Sequence, residues 1–301
     1  MRELRALVAR VAPLRMPVLI EGATGTGKEL VAALLHRDSG RTGNLVAFNV
    51  CALGESMFED ALFGHVKGAY TGAVAESLGF LREANGGTAF FDEISGLPLP
   101  LQAKLLRAIE TGVFRPIGAA RDAMSDFRTV AATNEYLREL VEAGRFREDL
   151  MHRLSGITVR LPSLAERVDD IPELVRHFVR RAGGREIPVS HDAVTLLQET
   201  PWPGNVRELR QVVEASLAFA HGELDTRAVY AALGHRSAPG ARGRVVVELA
   251  ARRELVTVLE RASGNTGRAA ELLGVHRATV YRRMKRHGID VPTVRHHELS
   301  T

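Results

Sequence analysis

A single cysteine in 301 residues, Cys51, excludes an internal disulfide and fits a reducing cytoplasm. Beside Val50 and Ala52 it reads as an inert buried thiol before it reads as a nucleophile. No apolar run approaches a membrane span, and no charged-then-apolar leader opens the chain, so no membrane association is expected. Room ahead of the first motif is also missing. Met1 lies a short way upstream of a glycine-rich loop at Gly22, so no separate sensory domain is expected in front of it. What remains, at 45% hydrophobic and 25% charged residues, is a globular cytoplasmic protein with length for two or three compact units.

Net charge is small, +4, but unevenly placed. Between residues 242 and 297 twelve Arg and Lys stand against five Asp and Glu, a local surplus of seven that leaves the rest at −3. A basic C-terminal end suggests a polyanionic partner.

The strongest motif is Gly22-Ala23-Thr24-Gly25-Thr26-Gly27-Lys28. Val18-Leu19-Ile20 before it reads as a buried parallel strand, and Glu29 to His36 after it as a helix. A strand, a glycine-rich turn and a helix N-terminus together make a phosphate site. Backbone N–H groups converge there and the helix dipole adds positive potential. Lys28 then reaches the β- and γ-phosphates. An ordinary glycine-rich turn is the plainer alternative, and the strand–turn–helix context argues against it. Most such loops follow the lysine with a Ser or Thr that touches magnesium; Glu29 stands there instead. Mg²⁺ must therefore lean on another acid, on water and on the nucleotide.

Residues 45–50 read as a second strand carrying a polar Asn49 near its end, and a helix through 57–63 stops at Gly64. The segment Gly68-Ala69-Tyr70-Thr71-Gly72-Ala73 suits neither helix nor strand and is expected as an exposed, mobile loop tip. Thr88 to Glu93 is an apolar strand ending in two carboxylates. Beside a phosphate loop, Asp92 can hold Mg²⁺ through its water shell and Glu93 can orient or deprotonate a water. Acids favoured at a helix start would be the simpler explanation. Residues 128–134 form a further strand ending in Thr133 and Asn134, where ligands sit in parallel sheets. Asn134 is placed to bond a γ-phosphate or the attacking water, or merely to cap the next helix. Arg147 and Arg153 suit fingers that reach a neighbouring subunit's nucleotide, although taken singly they read as solvated charge.

From Asp169 to Leu233 the pattern is helical: 171–182, 191–200 and, after the rigid turn Pro201-Trp202-Pro203-Gly204, 206–219 with Arg207 at its start. Residues 234–244, rich in glycine, read as a flexible linker. An amphipathic helix over 246–262 follows, then 266–273, a Gly274-Val275 turn and 276–287, a helix-turn-helix. Ala269-Ala270 allow close helix approach, and Val280 and Met284 turn inward. Arg277, Thr279, Arg282, Arg283, Lys285 and Arg286 are presented outward, to read guanine edges or hold phosphates of double-stranded DNA. A basic hairpin used for dimerisation is the alternative.

Together these motifs resemble the bacterial enhancer-binding proteins, AAA+ ATPases that activate the sigma-54 form of RNA polymerase. The similarity covers residues 14–290. Its most specific mark is Gly68 to Ala73, which resembles the family's GAFTGA loop with Tyr in place of Phe. Supporting matches are Gly22 to Glu29, Glu83 to Thr88 with Asp92-Glu93, Ala132-Thr133-Asn134, Gly144 to Leu150 and Trp202 to Leu209. The family also carries Glu at the position of Glu29.

The resemblance implies an α/β AAA+ P-loop NTPase with helices on both faces of a parallel sheet (1–168) and a helical lid (169–233). A linker (234–244), a Fis-type helix-turn-helix (245–290) and a tail (291–301) would follow. It implies ATP and Mg²⁺, with Gly22, Ala23, Thr24, Gly25, Thr26, Gly27, Lys28, Glu29 and Arg207 on the nucleotide and Asp92 on the metal. Glu93 would polarise water, Asn49 would hold Glu93 at rest, and Thr133 and Asn134 would sense the γ-phosphate. Arg147 and Arg153 would act on the next subunit of an assembly between dimer and hexamer ring. Gly68, Ala69, Tyr70, Thr71, Gly72 and Ala73 would form the sigma-54 contact, led by Tyr70 and Thr71. Three departures stand out: the added hydroxyl of Tyr70, Ala165 where the family usually has Arg, and no expected receiver or ligand-sensing domain, so that regulation would come from a protein in trans, through expression level, or not at all. The implied function is ATP-driven remodelling of the closed complex of the sigma-54 RNA polymerase holoenzyme from upstream DNA. A DNA-binding regulator whose ATPase is vestigial or not coupled to sigma-54, and a DNA-remodelling motor such as a helicase loader, are the competing readings.

Overall fold

The structure, a computed structural model, describes residues 2–50, 57–183, 187–235, 255–287 and 289. The chain divides into two compact units, Met1–Val168 with Trp202–Glu208, and Asp169–Pro201 with Leu209–Thr301.

The first unit is built on α1 (Arg2–Val11), β1 (Val18–Glu21), α2 (Lys28–Arg37), β2 (Leu45–Asn49), α3 (Phe58–Phe63), α4 (Phe80–Glu83) and β3 (Thr88–Asp92). A 3₁₀ turn at Ile94–Gly96 leads to α5 (Leu99–Thr111) and a short hairpin, β4 (Val113–Phe114) with β5 (Ala123–Met124). Then come β6 (Arg128–Thr133), α6 (Leu137–Glu142), α7 (Glu148–Leu154) and β7 (Ile157–Arg160). Five strands form one parallel sheet in the order β2-β3-β6-β1-β7. A sheet covered on both faces buries both sides of its inner strands, which is why β3 and β6 read as unbroken apolar runs. Along β3 the side chains alternate: Phe91 joins the core with Leu62, Leu105, Leu150 and Leu154, and Phe90 the core with Ile20, Leu35, Val130 and Val159. Four of the five strands are those expected. The fifth, β7, is a four-residue edge strand ending in Arg160, too short and too exposed to carry a pattern.

Arg128 pins two helices to this sheet. It is 3% exposed, and its guanidinium donates to the carbonyls of Val11 (3.0 Å), Ala12 and Leu35 (3.3 Å) at the C-terminal ends of α1 and α2. A cation there meets the negative ends of two helix dipoles as well as unpaired carbonyls.

In the second unit lie α8 (Ile171–Gly183), α9 (His191–Glu199) and α11 (Thr226–His235), together with all but the first turn of α10 (Asn205–Leu217). Ser190 caps α9 by accepting the Ala193 N–H at 3.1 Å. Further on, α12 (255–261), α13 (Thr266–Leu272) and α14 (Arg277–His287) enclose a core of Leu255, Leu259, Ala269, Ala270, Val280 and Met284. Asn265 caps α13, its side-chain oxygen accepting from Gly267 (2.9 Å) and Arg268 (3.2 Å). Residues 236–254, and with them most of the expected linker and the start of the helix expected at 246, lie outside the described residues, as do Cys51 and the tail from 291. Among the described residues no helix is long and apolar enough to cross a membrane.

Candidate nucleotide site and partner surfaces

The glycine-rich loop joins β1 to α2, and its geometry follows from its residues. Gly25 (φ 79°) and Gly27 (φ 105°) take left-handed conformations that a Cβ resists. Gly25 is required twice over, because a Cβ there would stand 2.3 Å from the Gly204 carbonyl oxygen. The Thr26 hydroxyl ties the turn by donating to the Ala23 carbonyl at 2.7 Å. Lys28 is 6% exposed; its ammonium donates to the Gly22 carbonyl (3.0 Å) and lies 3.5 Å from Glu93 Oε1. Glu29 is exposed on the first turn of α2, which has no side-chain cap.

A cavity of about 410 Å³ opens past the carboxyl ends of β2, β3 and β6, lined by Asn49, Asp92, Glu93, Ser95, Gly96, Asn134, Glu135 and Arg207. Parallel sheets gather ligands at this edge. Glu93 has φ 55°, an uncommon conformation for a residue with a side chain and one that concentrates at functional sites. The turn carries it off the line of β3, toward Lys28. Asn49, expected to hold Glu93, instead donates to Asp92 Oδ2 at 3.4 Å. The reason is register: Asn49 and Asp92 are paired across β2 and β3, whereas Glu93 lies beyond the pairing. Asn134 Nδ2 donates to the Thr24 hydroxyl at 3.3 Å, which ties the end of β6 to the loop. Thr133 departs from expectation. It is fully buried, and its hydroxyl exchanges bonds with the Glu135 backbone (2.9 and 3.0 Å), so it shapes the turn and does not line the cavity.

Arg147 and Arg153 stand apart from this cavity. Arg147, the residue before α7, makes a paired contact with Asp149 at 3.0 and 2.7 Å and holds that carboxyl below its usual range. Arg153 is exposed, with Nη2 3.5 Å from the Ile109 carbonyl. Among the described residues no group of three His, Cys, Asp or Glu could hold a metal by itself. One carboxylate, Asp92, beside the glycine-rich loop fits an ion whose remaining ligands come from phosphates and water, as magnesium's do.

The segment Gly68–Ala73 forms a turn whose N–H and C=O groups bond within it: Gly68 N to Ala73 O (2.9 Å) and Ala73 N to Tyr70 O (3.0 Å). Below it, His65 pairs with Ser77, and Val66 N donates to Ile117 O at 3.1 Å. Thr71 and Gly72 are exposed at the tip, as expected, whereas Ala73 is buried, its N–H and C=O closing the turn on Tyr70 and Gly68. Tyr70 is 47% exposed but engaged: its hydroxyl donates to Asp60 Oδ2 (3.2 Å) on α3, and its ring meets the His65 ring edge-on at 5.1 Å. Loss of surrounding water and the Asp60 carboxylate hold its phenol above the usual value.

On α14, Arg277 and Arg282 are exposed, and Thr279 and Arg283 half-buried. Lys285 and Arg286 belong to the helix, with side chains outside the described residues. Arg277 is partly committed within the unit. It donates to the hydroxyls of Thr266 (3.2 Å) and Tyr281 (3.3 Å), and its guanidinium sits 5.6 Å from the Tyr281 ring centre. Tyr281, an exposed aromatic at the centre of this basic face, was not singled out from the sequence. Nor were Ser95, Gly96 and Glu135 in the cavity, because nothing in their types marks them.

Comparison with known proteins gives three adjoining matches. Residues 1–160 match the sigma-54 interaction domain, 165–242 an AAA+ ATPase lid domain, and 247–287 the bacterial regulatory proteins of the Fis family. The DNA-binding transcriptional regulator NtrC of Rhizobium meliloti (strain 1021) is 36% identical over 334 residues, covering 97% of this chain and 69% of NtrC. The C4-dicarboxylate transport transcriptional regulatory protein DctD of the same organism is 40% identical over 298 residues, covering 96% of this chain and 63% of DctD. Crystal structures of NtrX from Brucella abortus, one in complex with ATP, superpose with TM-scores of 0.71 and 0.68 at 33% and 32% identity, covering 96% of this chain and 67% of theirs. A parallel α/β sheet with a phosphate loop, followed by a lid and a Fis-type helical pair, makes this chain a member of the sigma-54-dependent transcriptional regulator family, with an AAA+ ATPase-type domain.

Proposed function

We propose that the chain hydrolyses ATP and uses the energy to remodel the closed complex of the sigma-54 RNA polymerase holoenzyme from upstream DNA. The observation that carries this reading is one compact unit holding both a cavity lined by Asp92, Glu93, Asn134 and Arg207, next to Lys28, and an exposed tip at Thr71. NtrX, a structural relative, has been crystallised with ATP and with ADP, which supports ATP as the nucleotide here.

Lys28 and the free N–H groups at the start of α2 receive the phosphate chain. Asp92 would hold Mg²⁺, which when bound would offset the negative charge of the phosphate chain. Arrival of phosphates gives Lys28 a stronger partner than Glu93, 3.5 Å away, and releases that carboxylate to orient a water. The water oxygen attacks the γ-phosphorus as the bond to the ADP oxygen breaks. Glu93 accepts the water proton, and phosphate and ADP leave. Asn134 exchanges its bond to Thr24 for the γ-phosphate and reports its loss. Arg147 and Arg153, remote from this chain's own cavity, act on the nucleotide of the next subunit in a ring of up to six. Swapping the γ-phosphate for water changes the charge beside Asp92 and Asn49, and the next helix in sequence after β2 is α3, whose Asp60 holds Tyr70 of the tip. Meanwhile α14 enters the major groove, and paired C-terminal helices read half-sites about 34 Å apart.

Thr71→Ala tests the reading. ATP hydrolysis should stay at the level of the unmodified chain while transcription from a sigma-54 promoter, reconstituted with purified holoenzyme, is lost. Activation at the unmodified level would remove the tip from the mechanism.

A further inference from the structure

Three successive carbonyls of the phosphate loop are each held from outside it. Asn205 Nδ2 donates to Thr24 O (2.9 Å), the Arg207 N–H to Gly25 O (3.2 Å), and Arg167 Nη2 to Thr26 O (2.9 Å). All of these residues lie in the first compact unit. In a trans peptide the C=O and the following N–H point to opposite sides. Anchoring the Thr24 and Thr26 carbonyls therefore turns the N–H groups of Gly25 and Gly27 away from the anchors. Among the described residues neither of those N–H groups has a hydrogen-bond partner. The middle peptide differs, because the Thr26 N–H is used by the Ala23 carbonyl at 3.3 Å. Two free donors thus remain beside the uncapped first turn of α2 and the Lys28 ammonium, a set that suits a phosphate chain.

Asn205 is suited to this task in three ways. It is 4% exposed, so its bonds are shielded from water. Its φ of 52° is left-handed, a conformation Asn adopts more readily than other residues with side chains. Its carboxamide is used at both ends, Oδ1 accepting the Leu164 N–H at 2.8 Å while Nδ2 reaches the loop. Asp would keep the acceptor and lose the donor. The Arg207 N–H belongs to the first turn of α10 and would be orphaned there without the Gly25 carbonyl.

We propose that Asn205 is a positioning residue of the nucleotide site. With Arg167 and the Arg207 N–H it holds the loop in its phosphate-accepting form before nucleotide arrives, so that binding does not have to order it. This rests on the cavity being a nucleotide site, and the test keeps the two apart. Asn205→Gly tolerates the left-handed conformation and removes the side-chain bonds to Leu164, Thr24 and Pro203, and Asn205→Asp keeps the acceptor, removes the donor and adds a negative charge. In the full-length chain, both should raise the Kd for ADP and the KM for ATP about tenfold, with kcat at saturating ATP within about twofold. Because salt screens a buried charge poorly, the uncharged Asn205→Gly, which should show the same rise, separates loss of the donor from the charge that Asp introduces. A merely structural role would lower the melting temperature without moving Kd or KM in the folded protein. Unchanged Kd and KM in either folded variant overturn the proposal, and Asn205→Asp decides it if Asn205→Gly does not fold. If the unmodified chain binds no ADP, or Lys28→Ala binds it equally well, the nucleotide reading fails instead.

Discussion

The nucleotide cleft and the Gly68–Ala73 tip belong to one compact unit but are held in different ways. Cleft residues come from the ends of β2, β3 and β6 and the start of α10, joined by bonds that span 43 to 181 positions in sequence. The tip closes on itself within six residues and its side-chain anchor, Asp60, lies ten residues before Tyr70; the contacts with a distant segment, Val66 to Ile117 and Ala69 against Gly118, are at its base. A pocket that must present charges at fixed points is over-determined by distant parts of the chain. A tip that must deform against a partner is held by near neighbours, and such contacts break without disturbing the core. Energy gathered in the fixed cleft would be delivered at the pliable tip.

Two glycine substitutions should break that contrast most sharply. Gly25→Ala meets both a left-handed backbone and the Gly204 carbonyl, so nucleotide affinity should fall on the order of a hundredfold, with about 2 kcal/mol of stability lost. Gly72→Ala faces the same backbone strain (φ 108°) with open space around its Cβ. ATP turnover should survive there and activation should fail, readable by running the two assays on each variant. Smaller in effect is Tyr70→Phe, which removes the bond to Asp60 and leaves the ring against His65. Amide exchange over residues 66–74 should quicken while turnover holds; unchanged exchange would mean the hydroxyl does not restrain the tip.

The smallest effect lies at the far end of α2. His36, 2.9 Å from the Thr88 hydroxyl, has its pKa lowered first by burial and then by Arg128 and Arg41. The unfolded chain, with an ordinary histidine pKa of about 6.5, binds more protons in the window between that value and the lowered one. Stability should therefore be flat above pH of about 6.5 and decline as pH falls through this window. In denaturant titrations at several pH values His36→Gln should flatten the decline, and a slope unchanged by the substitution would remove His36 as its source.

The phosphate loop, the paired carboxylates and the basic helical pair were legible because each is a local pattern with its own chemistry. Glycines mark a left-handed turn, acids after an apolar strand mark a sheet edge, and arginines crowd one helix. Partner choice was not legible. Asn49 was read toward Glu93 and lies on Asp92, since strand register is decided by the whole sheet. Thr133 was read as facing ligand and is turned inward by the Glu135 backbone. Asn205, between the turn ending at Gly204 and the helix expected from 206, carried no role in the sequence reading, although it reaches back 181 positions to Thr24.

From sequence alone came the proposed class of chemistry: a phosphate loop, acids suited to magnesium and water, a tip unlike helix or strand, and a basic end suited to DNA. Side-chain type and short-range spacing suffice for that, because they determine what a segment can bond. Which carbonyls are held, which N–H groups stay free and where Glu93 rests at 3.5 Å from Lys28 were decided by tertiary structure alone. Those bonds depend on distances between residues far apart in the chain, and only packing sets such distances.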